Sequence, residues 1–357
     1  MKPENFSPPP GALPCRVSVV IKAFNEEKRI CAAIESALRA IAGVGGEVVL
    51  ADACSSDRTV ERARAYPIRI VQFSHPEERR CGAGPQLGFQ HSCGEFIYLL
   101  DGDMEMLDGF LVPALGFMKA HPDIAGVGGQ MLEQNTRSLE YVARTQRAHA
   151  HLQPGCVDRL DGGGLYRRSA IEATGYFSDR NLHSYEEFDL AVRLRSLGWK
   201  LWRLPVNVVR HFGHETPPYR LLLQRWRTNH LCGLGELVRA SAGQPRLRLV
   251  IEGLRELRLY LGVLLWWAVL LSVPLWPLSA PVRLAGFGAL LLAPLLLMAW
   301  RKRSVTKALY SVVSWCFNAA GLVRGLLQPQ KNATEAIASQ ILQETGFSSR
   351  PARGFPR

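Results

Sequence analysis

The chain has 357 residues and a formal charge of +12, with 47% hydrophobic and 21% charged residues. That is about two domains' worth of chain with ample apolar content for a core, which excludes wholesale disorder, collagen-like repeats and disulfide scaffolds. The eight cysteines form no CxxC pair, which argues against a zinc ribbon or thioredoxin-type site and points to reduced core thiols.

The first fourteen residues contain Pro8-Pro9-Pro10 and no apolar run behind a basic start, so no secretory signal is expected there. The sequon Asn332-Ala333-Thr334 then reads as accidental. Residues 16–21 read as a buried strand, and Ile30, Ile34, Leu38 and Ile41 recur at helical spacing behind it. Residues 48–51 form the next strand, after which Ser55-Ser56-Asp57 offers a cap to a helix reaching Ala65. Residues 68–73 and 96–100 continue the series. Strands separated by helices predict right-handed crossovers and a mainly parallel α/β sheet covered on both faces.

Candidate chemistry gathers at the strand ends. Leu99-Leu100-Asp101-Gly102-Asp103 puts two carboxylates on one face with a glycine between them. Hard divalent cations, Mn²⁺ or Mg²⁺, bridge such carboxylates to phosphates, although a turn with two solvated aspartates satisfies the same triplet. Its position favours function, because ligands of open α/β sheets sit at the carboxyl ends of strands. The first strand runs out into Ala23-Phe24-Asn25-Glu26-Glu27 and the second into Asp52 to Thr59, with no GxGxxG turn, which disfavours a nicotinamide or flavin enzyme. Asp57 reads as a helix cap, and Asp52 as an acceptor for a base or ribose.

Ser184-Tyr185-Glu186-Glu187-Phe188-Asp189-Leu190 opens a helix that Gly198 follows. Ser184 with Glu187 fits a capping box and Asp189 with Arg193 an i,i+4 ion pair, while three carboxylates in one helix start also suit proton removal from a hydroxyl. Asp161-Gly162-Gly163-Gly164 is a turn that a substrate can approach. His211 and His214 follow an apolar run, and either can serve as a metal ligand or as a structural histidine.

Asp52-Ala53-Cys54-Ser55-Ser56-Asp57-Arg58-Thr59 resembles the D-S-x-S-T-D-x-T segment of family 2 glycosyltransferases. Asp101-Gly102-Asp103 is similar to their D-x-D, Glu186 to Leu190 to their E-D-x-D-L, and Lys22-Ala23-Phe24-Asn25-Glu26 to their P-x-Y-N-E turn. These four motifs stand in the family's order across residues 16–215. The resemblance implies a GT-A fold that takes a sugar from a nucleotide-diphosphate donor and inverts the anomeric centre. It implies that Phe24, Glu26 and Asp52 line the nucleoside pocket, that Asp101 and Asp103 meet the diphosphate and a divalent cation, and that Glu187, or else Glu186, is the base; His211, from its place after the apolar run, is a further metal candidate. The family's A-R-N-x-G is replaced by Gly84-Pro85-Gln86-Leu87-Gly88, so its arginine is missing, and Arg79 or Arg80 is the substitute. Leu222 stands where processive relatives have the glutamine of Q-x-x-R-W before Arg225-Trp226, which argues against chain elongation.

Beyond the catalytic region, residues 259–278 and 284–300 carry no charge over twenty and seventeen residues, and both fit a bilayer core. Arg239, Arg246, Arg248, Arg255 and Arg258 precede them and Arg301, Lys302, Arg303 and Lys307 follow, which predicts a hairpin with both ends cytoplasmic. The expected organisation is therefore 1–15 flexible, 16–235 GT-A domain, 236–258 basic linker, 259–300 transmembrane hairpin, 301–330 basic segment with an interfacial helix, and 331–357 tail. The expected protein is a glycosyltransferase of the inner, cytoplasmic membrane, with membrane lipids and a saccharide or lipid-linked acceptor as partners and no nucleic acid. The alternatives are a polyprenyl-phosphate glycosyltransferase and an inactive sugar-nucleotide-binding scaffold.

Overall fold

The structure is a computed structural model that describes residues 15–135, 152–213 and 216–344. The chain divides into two compact units, Met1–Asn181 with Glu186–Glu215 and Gln330–Arg357, and Leu182–Tyr185 with Thr216–Pro329.

The first unit is built on β1 (Val17–Ala23), β2 (Gly46–Asp52), β3 (Arg69–Phe73) and β4 (Phe96–Asp101), apolar runs that are buried almost throughout. They pair in parallel, with Ala23 opposite Asp52 and Lys22 opposite Asp101, so the carboxyl ends of three strands finish level. Crossovers pass through α1 (Ile30–Ala42), α2 (Thr59–Ala63) and α3 (Ala83–Gln90). Alternation along β2 sends Val48 and Leu50 into the core under α1, and Val49 and Ala51 into the core under α3. Helices therefore cover both faces, as expected. On α1, Ile30, Ile34, Ala37 and Ile41 form the buried stripe, and each large side chain there contributes about 1.5–3 kcal/mol.

The second half of this unit is mixed. It contains β5 (Met104–Met106), α4 (Leu111–Ala120), β6 (Ile124–Glu133), β7 (Gly155–Val157), β8 (Gly164–Arg167), α5 (Arg168–Ala173), α6 (Glu186–Ser196) and β9 (Lys200–His211). The sheet order is β10-β3-β2-β1-β4-β8-β6-β9-β5, with β7 also on β9. Only β6 with β9 adds a parallel pair; β8 on β4 and on β6, β5 and β7 on β9, and β10 on β3 run antiparallel. The strand β10 (Ser339–Gln343) lies in the segment read from sequence as a tail. It covers the open edge of β3, whose backbone groups otherwise lack partners, and Arg180 holds its approach by donating to the carbonyls of Glu335 and Ala336.

The second unit is helical: α7 (Pro218–Arg227), α8 (Gly233–Ser241), α9 (Leu247–Gly253), α10 (Arg255–Ser272), α11 (Ala280–Lys302) and α12 (Val305–Leu327). Among the described residues two helical stretches, Arg255–Leu275 and Ala280–Lys302, are long and apolar enough to cross a membrane. Only 17% and 6% of their most apolar windows is buried, unlike the core helix of a water-soluble domain. On α12, Gly321 and Gly325 face the Leu231 and Cys232 backbones so closely that neither position has room for a Cβ.

Candidate functional site

The level strand ends bring the acidic motifs together. Asp52 closes β2 and is fully buried; its Oδ2 accepts from the Ser55 amide at 3.0 Å and from Gln72 Nε2 at 2.8 Å. Its Oδ1 has no partner among the described residues. The loops after β1 and β2 are stitched together: Asn25 Oδ1 accepts from the Ser56 amide at 2.8 Å, and Asp57 accepts from the amides of Glu27 and Thr59. Asp57 thus takes the first amide of α2, while the cap position itself is Arg58, which makes no side-chain cap bond. Phe24 is 41% exposed beyond this stitched loop, with the Arg79 guanidinium 4.1 Å from its ring centre. Of the two arginines considered as substitutes, Arg79 is the one on Phe24; Arg80 serves through its carbonyl, which accepts from Ala83 and Gly84 at the start of α3.

Asp101 closes β4, and Gly102 turns the chain toward Asp103. A Cβ at 102 would lie 2.9 Å from Glu26 Cγ, so the glycine lets Glu26 lie across the D-x-D turn. Burial first, then Asp103, Asp101 and Asp57, push the Glu26 carboxyl up to about 7. Glu26 therefore sits against the aspartate pair as well as in the loop after β1.

His211 reaches the same turn by strand pairing. Met104 of β5 lies opposite His211 of β9, which places the imidazole beside Asp103, with Nε2 3.4 Å from Oδ2. On its other side β6 sets Glu133 opposite His211, and Nδ1 donates to Glu133 Oε2 at 2.7 Å. Burial works to lower the His211 pKa, but the two carboxylates outweigh it and raise it to about 9. His214 lies outside the described residues.

The opposite wall comes from α6. It begins at Glu186 rather than at a Ser184 cap, because Tyr185 adopts φ 67° and the Ser184 hydroxyl donates instead to the His230 carbonyl at 2.8 Å. The Ser184–Glu187 capping box does not form, so Glu187 is not consumed by the helix start. Asp189 is structural: fully buried, it takes Arg193 Nε at 2.8 Å, and Arg193 also donates to the carbonyls of Tyr176 and Phe177. Burial first, with Asp161, Glu186 and Asp101 adding to it against Lys22, holds the Glu187 carboxyl well above the usual carboxylate range. The Asp161 to Gly164 turn lies at this wall because Gly164 pairs with Leu99 on β4. There Gly163 has φ 99°, and a Cβ would come within 2.7 Å of the Tyr98 hydroxyl.

Lys22 joins the two walls, and sequence reasoning missed it. Its Nζ lies 3.2 Å from Asp101 Oδ1 and 2.8 Å from Glu186 Oε1. Burial works to lower the Lys22 pKa, yet Asp101, Glu186 and Glu187 outweigh it and keep the ammonium charged. The available signal was a lysine inside an apolar strand, where the family pattern has proline. Glu133 was missed as well, because only the β6–β9 register links it to His211.

Two carboxylates and an imidazole, Asp101, Asp103 and His211, are a donor set that suits Mn²⁺ or Mg²⁺. Asp103 and His211 are already in contact, whereas Asp101 is held toward Lys22. Among the described residues the one group of three ligand-type side chains within 4.8 Å lies elsewhere: Cys15, Glu47 and Cys93 at the amino ends of the strands. There Glu47 already accepts from the Ser18 hydroxyl and the Cys93 amide, and Arg69 neutralises it, so the cluster works as a buried structural node.

Residues 18–175 match the sequence family described as Glycosyl transferase family 2. The chain carries a family 2 glycosyltransferase domain. The chain is 27% identical over 156 residues to a protein named as a probable glucomannan 4-beta-mannosyltransferase 1 from Arabidopsis thaliana, spanning 41% of this chain but only 27% of that one. It is 27% identical over 199 residues to EpsE of Bacillus subtilis (strain 168), named as a candidate glycosyltransferase, covering 53% of this chain and 70% of that one. In structure it is similar to the mannosyltransferase PcManGT from Pyrobaculum calidifontis in complex with GDP-Man and Mn²⁺, with TM-score 0.55 at 19% identity, over 91% of this chain and 90% of that one. That likeness establishes a GT-A-like fold for the family 2 domain.

Proposed function

We propose that this chain transfers a sugar, with inversion, from a nucleotide-diphosphate donor to a hydroxyl of a saccharide or lipid-linked acceptor, using a divalent cation. The observation that carries this reading is the meeting of two chemically opposed walls at level strand ends. One is the Asp103–His211 pair with Asp101, and the other is the Glu186–Glu187 helix start. The GDP-Man and Mn²⁺ bound by PcManGT support the same class of donor and cation here.

Each residue has a chemical task on this reading. The free Oδ1 of Asp52 accepts an N–H of the nucleobase, and Phe24 with Arg79 offers a face for stacking. Asp101, Asp103 and His211 would hold the cation, Mn²⁺ or Mg²⁺, which when bound neutralises charge on the leaving diphosphate. Glu187 accepts the proton of the acceptor hydroxyl as its oxygen bonds to the anomeric carbon. The bond from that carbon to the donor phosphate oxygen breaks, and the nucleoside diphosphate leaves with the electron pair. No covalent intermediate with the protein is needed. Burial raises this carboxyl above an ordinary carboxylate, so that once ionised it holds a proton more strongly, which suits this role.

The two apolar helices and the flanking arginines support a place at the cytoplasmic face of a membrane and a lipid-linked acceptor. The test uses the full chain in detergent with uridine and guanosine diphosphate sugars, lipid-linked and soluble acceptors, and Mn²⁺ or EDTA. Cation-dependent formation of a glycosylated lipid with inverted configuration is expected. Binding of nucleotide sugars without transfer or hydrolysis would instead identify a scaffold.

A further inference from the structure

We infer that Lys22 is a positioning residue of this site, tying the Glu186–Glu187 turn of α6 to Asp101 at the end of β4. The inference rests on the sugar-transfer reading for its kinetic consequences and on geometry alone for its consequence for metal binding.

Lys22 sits in β1 between the buried Ile21 and Ala23, and only 19% of its side chain is exposed. An ammonium so placed is costly unless it is paired, and this one is paired twice, with side chains of β4 and α6. Glu186 lies 164 residues away in the chain, so the contact is a tertiary tie. Without the cation, Asp101, Glu186 and Glu187 would be like charges crowded at one point, and repulsion would open the distance between the two walls.

A second observation agrees. Lys22 occupies the proline position of the P-x-Y-N-E pattern, while Pro85 occupies the arginine position of A-R-N-x-G. The two places adjoin in space, since a Cβ on Gly84 would lie 3.2 Å from Lys22 Cβ. A cation absent from the helix is thus present on the strand packed beside it.

The tie carries a cost for the cation site, because the ammonium pairs with the carboxylate of Asp101, one of the residues that would hold the metal. Removing the charge therefore acts in opposite directions: metal alone binds more tightly, while transfer becomes slower because the base turn is no longer held. A residue that served the fold alone would give neither change.

The test compares Lys22→Met and Lys22→Arg with the unaltered full chain in detergent. Titration with Mn²⁺ alone, followed by the paramagnetic resonance signal of the free ion, is expected to show about tenfold tighter binding for Lys22→Met and near-normal binding for Lys22→Arg. In the transfer assay Lys22→Met is expected to lose about a hundredfold in kcat with donor KM within about threefold, and to move the acidic limb of the pH profile upward by about one unit. Lys22→Arg recovers most of kcat. Unchanged Mn²⁺ affinity in a folded Lys22→Met chain overturns the inference, as does a loss confined to donor KM, which would make Lys22 a donor contact. Should the unaltered chain transfer no sugar, the functional reading fails, and the Mn²⁺ titration still decides the tie.

Discussion

Replacing Glu133 by glutamine probes a residue that touches neither donor nor acceptor. Its carboxylate lies 2.7 Å from His211 Nδ1, and the two side chains are 5% and 9% exposed, so solvent screens the pair little. Glutamine keeps an acceptor for the Nδ1 proton but removes the charge that orients the ring and strengthens Nε2 as a ligand. An opposite unit charge at about 4 Å is worth about 4 kcal/mol at an effective dielectric of about 20, which bounds the effect from above. Loss of an outer carboxylate behind a metal-ligating histidine costs about ten- to a hundredfold in metal affinity, or about 1.4–2.7 kcal/mol, which is the range expected here. The assay is Mn²⁺ titration of Glu133→Gln in detergent, with and without a nucleoside diphosphate. Affinity within about twofold of the unaltered chain, about 0.4 kcal/mol, would refute the assignment of His211 as a ligand held by Glu133.

Three further outcomes follow from the same geometry. Because Glu187 is held well above the usual carboxylate range and acts when ionised, transfer should rise with pH through its titration, and Glu187→Gln should abolish that acidic limb together with most turnover. Near-normal turnover by Glu187→Gln would point to an acceptor phosphate that needs no base. Gly163→Ala, which puts a Cβ 2.7 Å from the Tyr98 hydroxyl at φ 99°, should destabilise the domain by about 1–3 kcal/mol in thermal unfolding and lower transfer by displacing the wall beside Glu187. Asp189→Ala strands the buried Arg193, so its main effect should be a stability loss of about 3–5 kcal/mol rather than an altered pH profile.

The residues legible from sequence were those whose role is written into a local pattern. Asp52 and Asp101 end apolar strands and Asp103 follows in the turn after one of them, and parallel pairing of such strands brings their ends together. Glu187 and Asp189 stand two apart in one motif, yet local spacing could not separate a base from a buried ion-pair partner. That distinction depends on Arg193 being locked onto the Tyr176 and Phe177 carbonyls. Ser184 reads as a cap because serine before an acidic turn fits one, and the positive φ of Tyr185 overrides it. Lys22, Glu133 and the return of β10 were not legible because each acquires meaning from a partner far along the chain. Glu133 lies beyond register shifts in β6, Lys22 pairs across 164 residues, and β10 joins β3 only after the whole helical unit has intervened along the chain.

The central claim is that Asp101 and Asp103 hold the cation against which a nucleoside diphosphate leaves a sugar. Sugar transfer by the Asp101→Ala, Asp103→Ala double variant in saturating Mn²⁺ measures it most directly. Turnover at least about a thousandfold below the unaltered chain, with the fold retained by circular dichroism, is predicted. Transfer at the unaltered rate would contradict it.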